Sequence, residues 1–273
     1  MNKVDFSYAS EIEHNFAQRL IIKSIEKFTG KKKLERIYKD FSKINHNPRF
    51  FWSGILEFMD IKVINKSQYS SSVPSKGPLI IIANHPFGII DGLILCSIAA
   101  KSRPDFKIMT HETLKLLPEL DQFILPIEFN EKSKDSIKNN INTTKEAKIH
   151  LMNGGLLIIF PSGGVINSKS REEAIEKDNW KLFTAKLIQQ TRSDILPIYF
   201  DGKNGFLFNL FASKIKNQTL KYSAYIHETR RKIGKEIIIY SGQVIKFKDI
   251  EMIRDRKSLI NFLKMKTYNL INK

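Results

Sequence analysis

The chain has 273 residues and carries 45 Lys and Arg against 28 Asp and Glu, a formal net charge of +17, with one cysteine. That length supports one full α/β core, the single thiol excludes an internal disulfide, and the charge points to an anionic partner such as nucleic acid, acidic phospholipid or an acidic carrier protein. No stretch reaches the ~18–20 uninterrupted apolar residues of a membrane span, and MNKVDFSYAS lacks the apolar core of a signal peptide, so the expectation is a cytoplasmic protein that touches a membrane without crossing it.

Residues 11–28 place Ile12, Phe16, Leu20, Ile21, Ile25 and Phe28 at helical spacing, with Arg19, Lys23 and Lys27 opposite. Leu34, Ile37, Tyr38 and Phe41 repeat the pattern after the basic turn GKKK. Two basic amphipathic helices of this kind either lie in a membrane interface or pack on the body of the protein. The dense aromatic run from Phe50 to Met59 allows the same two readings. Residues 1–60 are therefore read as an N-terminal amphipathic helical segment and residues 61–273 as an α/β domain.

After a Ser-rich loop, Leu79 to Ala83 form an apolar run long enough for one buried strand. Asn84 and His85 follow at once, Pro86 and Gly88 force a turn, and Asp91 precedes an apolar helix over 92–100. Strands are expected over 106–109 and 124–129, with a helical turn at 113–120 between them. A helix over 133–152 sets Ile137, Ile141, Thr144 and Leu151 on one face and stops at Gly154 and Gly155. The next strand, 156–160, delivers Pro161, Ser162, Gly163 and Gly164 at its end. Further elements are a helix over 178–190, a strand over 194–200 that holds Pro197, a strand over 236–240 and a closing helix over 248–272. Pro197 suggests an edge or a bulge. Alternation of helices with short apolar strands argues for a mixed, largely parallel sheet flanked by helices.

Imidazole is the side chain that titrates near neutral pH, so His85 can take a proton from a hydroxyl and return it. A carboxylate at Asp91, receiving the other ring N–H, would fix the tautomer and stabilise the imidazolium. The pair has no nucleophile of its own, which suits activation of a substrate hydroxyl. The residues alone equally allow a helix N-cap at Asp91 and a hydrogen-bonded loop histidine. Gly163 and Gly164 let backbone N–H groups approach a phosphate or an oxyanion, and Lys169 and Arg171 can hold an anionic headgroup. Ser162 lacks the preceding glycine of a nucleophile elbow, since Pro161 stands there. His111, His150 and His227 have no metal-type spacing, so metal binding is not expected.

NHPFGIID, then FPSGG about seventy residues on, then ILPIYF, resemble the ordered motifs of the glycerolipid acyltransferase superfamily. TGKKKLERIY, DNW and FDGKNGFLF are similar to its bacterial hemolysin-like branch, which includes lyso-ornithine lipid acyltransferases. The resemblance implies that His85 is the general base for an acceptor hydroxyl attacking an acyl thioester, with Asp91 orienting the ring. It implies a substrate site built by Asn84, Gly88, Phe160, Pro161, Ser162, Gly163, Gly164 and Pro197, to which Lys169 and Arg171 are added from their own chemistry as substitutes for a charge contact that the family motif would supply. It further implies an acyl donor on acyl carrier protein (ACP) or coenzyme A (CoA), a lysolipid acceptor, no metal or organic cofactor, and a place at the inner face of the cell membrane. Two departures from the family pattern stand out. Five residues, where the superfamily usually has four, separate His85 from Asp91, as in the hemolysin-like branch; and Ser162 replaces the acid of the common FPEG, with Gly164 where closer relatives often carry a charge. Rival expectations are a catalytically degenerate lipid-binding protein and an acyl thioesterase; nucleic-acid binding is not expected, because no recognition motif accompanies the charge.

Overall fold

The computed structural model describes residues 31–44, 47–67, 72–111, 118–127, 134–166, 168, 170–205, 208 and 218–272. Helices α1 (Lys31–Ile44) and α2 (Pro48–Phe58) precede strands β1 (Lys62–Asn65) and β2 (Leu79–Ala83), followed by α3 (Ile89–Ser102), β3 (Phe106–His111), β4 (Ile124–Ile127), α4 (Lys134–Met152) and β5 (Leu156–Ile159). Helices α5 (Arg171–Lys177) and α6 (Leu182–Thr191) lead to β6 (Asp194–Asp201). Helix α7 (Gln218–Lys232), strand β7 (Glu236–Ser241) and helices α8 (Phe247–Ile250) and α9 (Arg256–Tyr268) follow.

Among the described residues the strands make one sheet in the order β1-β7-β6-β2-β5-β3-β4. Every neighbouring pair is parallel except β6 with β7. Strand β2 reads LIIIA with all five residues buried, as a central parallel strand covered on both faces must be. Its Ile81 and Ala83 join the apolar layer of α2 and α3, while Ile80 and Ile82 join that of α4, α6 and α9. The mixed, largely parallel sheet flanked by helices is as the sequence led us to expect.

The aromatic run in α2 is core at its centre. Trp52 packs edge-on against Phe106 and Phe123, which stack on one another at 4.7 Å. Phe50 and Phe58 of the same run stay exposed. The helix expected over 11–28 lies outside the described residues.

Several elements differ from expectation for identifiable reasons. Helix α3 begins at Ile89, with Gly88 as its N-cap, so Asp91 is not the cap but the third residue of the helix. Residues 178–181 are not helical, and the single helix expected over 248–272 is divided where Asp255 caps α9 by accepting from the Ser258 N–H at 2.7 Å. Helix α4 buries Ser136, Thr143, Ala147 and Leu151 and leaves Ile137 and Ile141 outside. Small residues face inward there because the helix lies close to β4, where the Thr143 hydroxyl donates to the Pro126 carbonyl at 2.7 Å. Pro197 is not on an edge strand, but it does lie at a bulge, where the β6–β7 ladder is interrupted. Strand β7 stops pairing with β6 at Ile198 and Ser241, the Gly242 N–H donates to the Pro197 carbonyl, and pairing resumes one residue out of step where Ile195 and Ile245 exchange both hydrogen bonds, so the missing N–H of proline falls in the interruption and leaves no partner wanting.

One buried cation ties the bases of the central strands together. Arg103, 3% exposed, reaches both carboxylate oxygens of Asp105 and the carbonyls of Gly77 and Gly154, just ahead of β2 and β5. Its guanidinium holds the Asp105 carboxyl below the ordinary value of 3.8. A lowered carboxylate contributes its stability above the unfolded pKa and loses it as pH falls through the folded one. Arg103→Met is therefore expected to lower unfolding stability by about 1–3 kcal/mol at neutral pH by orphaning two partly buried carbonyls. In urea melts the part of that deficit due to Asp105 disappears below the ordinary carboxylate pKa.

Candidate active site

The C-terminal ends of β2, β5 and β6 lie side by side, the position where open α/β sheets place ligands. Asn84 extends the β2–β6 ladder past the last paired residue with its side chain, which donates to the Phe200 carbonyl at 2.9 Å and accepts the Phe200 N–H at 2.7 Å. Both ends of its amide are thus engaged with the backbone. Asn84 is a clamp between strands, where the resemblance implied a substrate contact.

His85 and Asp91 are together. The Asp91 carboxylate is fully buried, and its Oδ2 accepts from His85 Nδ1 at 2.9 Å, the Phe87 N–H at 2.8 Å and the Gly88 N–H at 3.1 Å. An oxygen that already accepts two backbone N–H groups fixes the Nδ1–H tautomer and leaves Nε2 with its lone pair. Burial pushes the Asp91 carboxyl above its ordinary range, and the bonds from His85, Phe87 and Gly88 oppose that shift. The fifth intervening residue is absorbed by the bend at Gly88, whose φ is +73°. From the third position of the helix Asp91 then reaches back to the ring and to N–H groups of the turn ahead of it.

A second loop covers the imidazole. The Phe160 ring stacks on that of His85 at 3.9 Å and 17°, and the Ile166 N–H donates to the His85 carbonyl at 3.0 Å. Phe160 accepts the Gly163 N–H at 2.9 Å, closing a turn in which Gly163 has φ +71°. The buried Pro161 offers its carbonyl to the Lys181 N–H at 2.8 Å. The Ser162 hydroxyl donates to the Gly164 carbonyl, so it shapes the loop; Gly164 itself is exposed with open space where a side chain would stand.

The other expected residues are less central. Lys169 lies outside the described residues. Arg171 turns toward the end of α9, donating to the Tyr268 carbonyl at 2.6 Å and to Asn272 Oδ1 at 3.0 Å, and its buried Nε has no partner. Two of its donors are thereby taken from any headgroup. Pro197 sits within the sheet opposite Ile82, ahead of the clamped Phe200.

Residues without an assigned place in the sequence reading also converge here. Val165 and Tyr225 flank Gly88. Lys232 sets its ammonium 4.0 Å above the Phe87 ring. Burial pushes that ammonium below its ordinary value, and the charges of Glu228 and Asp91 resist the shift. In the sequence Lys232 lies within a basic run, RRKIGK, over 230–235. Among the described residues no group of three His, Cys, Asp or Glu side chains is placed to hold a metal. The arrangement can hold an imidazole with one nitrogen oriented and the other presented to a substrate proton, beside a glycine loop.

A family model described as Acyltransferase matches residues 61–201. Two curated relatives are both named lyso-glycine lipid O-acyltransferase. That from Phocaeicola vulgatus is 24% identical over 226 residues, covering 81% of this chain and 77% of that protein. That from Bacteroides thetaiotaomicron is 26% identical over 175 residues, covering 63% of this chain and 60% of that protein. The crystal structure of PlsC, the 1-acyl-sn-glycerophosphate (LPA) acyltransferase of Thermotoga maritima, shares the fold with a TM-score of 0.51 at 12% identity, covering 94% of this chain and 96% of that one.

Gly88 offers a test of how tightly the corner is built. A Cβ there would stand 3.2 Å from Val165 and 3.3 Å from Tyr225, on a backbone conformation that side chains avoid. Gly88→Ala is expected to lose about 1–3 kcal/mol of stability in denaturant melts.

Proposed function

The chain belongs to the acyltransferase family of glycerolipid enzymes, and from that premise we propose that it moves a fatty acyl group from an acyl-ACP or acyl-CoA thioester to the hydroxyl of an amino-acid lysolipid. The names of the two curated relatives support a lyso-glycine lipid as the first acceptor to try. The observation that carries the mechanism is the single Asp91 oxygen that accepts from His85 Nδ1 and two backbone N–H groups.

His85 Nε2 removes the acceptor hydroxyl proton as that oxygen bonds to the thioester carbonyl carbon. The tetrahedral intermediate collapses by breaking the C–S bond, and the imidazolium returns its proton to the departing thiolate. Ester and free thiol result. Asp91 orients the ring and stabilises the imidazolium. The loop from Phe160 to Gly164 shapes the acceptor side of the site. Every step is carried by these residues and the two substrates, so the proposal requires no metal or organic cofactor.

The membrane relation proposed is peripheral, on the inner face of the cell membrane. No helix among the described residues is long and apolar enough to cross a membrane, and the net charge of +17 suits both anionic lipid and an acidic carrier protein.

The test is transfer of labelled acyl groups from acyl-ACP and from acyl-CoA to lyso-glycine lipid, lyso-ornithine lipid and lysophosphatidic acid. His85→Ala is expected to lose about 10²–10⁴-fold in kcat/KM, and Asp91→Asn a comparable factor through the wrong tautomer. Wild-type rates from folded His85→Ala would remove the mechanism. Free fatty acid without ester product would identify a thioesterase, in which the same nitrogen activates water. Saturable lysolipid binding without turnover would identify a binding protein.

A further inference from the structure

Asp178 stands between α5 and α6, far from His85 in the chain, and is only 2% exposed. Its N–H ends α5 by donating to the Ala174 carbonyl at 2.9 Å. Its Oδ2 accepts the Trp180 indole N–H at 2.6 Å and the Tyr268 hydroxyl at 2.7 Å. Trp180 is buried too, and the next residue, Lys181, donates its N–H to the Pro161 carbonyl. Pro161 adjoins Phe160, the ring that lies on His85. A continuous run of contacts thus joins α9, through one carboxylate, to the loop above the imidazole.

Apolar side chains in this place would be easier to bury. The carboxylate has one oxygen with two donors and the other, Oδ1, buried without a partner, an arrangement that stability alone does not favour. Tryptophan can only donate, so the joint needs an acceptor there. We propose that Asp178 is a positioning residue for acyl transfer: it latches the Phe160–Gly164 loop to α9 and so holds the Phe160 ring against His85. The claim rests on the reading of His85 as the base, and Asp178 itself touches no reacting atom. The Tyr268 hydroxyl, ninety residues further along, is the other half of the latch.

The variants Tyr268→Phe, Asp178→Ala and Asp178→Asn separate geometry from charge. Asparagine keeps an oxygen that accepts both donors and loses the charge; phenylalanine removes one bond and one atom. Two readouts are used on the full chain. The first is the rate at which diethyl pyrocarbonate modifies His85, followed by peptide mass mapping. The second is kcat for transfer from acyl-ACP to lyso-glycine lipid at saturating acceptor. Release of the loop uncovers the ring, so Tyr268→Phe and Asp178→Ala are expected to raise the His85 modification rate at least threefold and to lower kcat at least tenfold. Asp178→Asn is expected to stay within threefold of wild type in both. Unchanged modification in folded Tyr268→Phe overturns the latch, as does an Asp178→Asn defect equal to that of Asp178→Ala, which would assign the effect to charge. Tyr268→Phe keeps the test decisive if Asp178→Ala does not fold. Because the modification readout needs no turnover, failure of the latch is distinguishable from failure of the acyltransferase mechanism, which His85→Ala reports.

Discussion

A carboxylate shut away from solvent must find donors, and the corner after β2 is arranged so that one Asp91 oxygen, Oδ2, takes three of them while Oδ1 stays buried without a partner. Here the turn ahead of the helix directs the Phe87 and Gly88 N–H groups onto one oxygen, and the imidazole supplies the third donor. Each contact constrains the others. The glycine conformation at position 88 brings the backbone around, the helix sets the carboxylate back toward the strand, and the ring is left with one orientation. Loss of a partner from such a buried charge is expensive, on the order of 3–5 kcal/mol, so the geometry of the site and the stability of the corner are the same property.

Strands place this corner among its neighbours. Asn84 prolongs the β2–β6 ladder by one step, and the loop after β5 lies over the ring, so groups from three adjacent strand ends meet at His85. The loop is in turn held from behind by the chain at Lys181. None of these supports needs a long flexible side chain: apart from the Phe160 ring, they are backbone N–H and C=O groups and short polar residues. That economy of motion fits a reaction in which two substrates bring the reactive atoms and the protein supplies orientation.

Much of this was legible in the chain itself, and the reasons divide along physical lines. Buried parallel strands are apolar on both faces, so β2, β5 and β6 stand out as unbroken runs, and the His-to-Asp interval with its Pro and Gly marks a turn. Strand β1 was missed because it is a four-residue edge with every side chain exposed, which gives neither a run nor a useful alternation. The inward face of α4 was misjudged because proximity to β4 selects Ser136, Thr143 and Ala147 over Ile137 and Ile141. Arg171 looked like a headgroup contact, yet its partners at Tyr268 and Asn272 lie about a hundred residues away. The meeting of Asp178 with Tyr268 was hidden for the same reason: tertiary pairing across ninety residues leaves no local pattern.

The chain between β6 and β7 leaves the sheet, carries α7 past Gly88, and comes back antiparallel. Tyr225 and Lys232 arrive on that detour, and none of the β2, β5 and β6 hydrogen-bonded register passes through it, so on this side the turn that carries His85 is braced by side chains from outside the sheet. A substitution on α7 therefore reaches the His85 turn through packing and charge, with every strand-to-strand hydrogen bond left as it was.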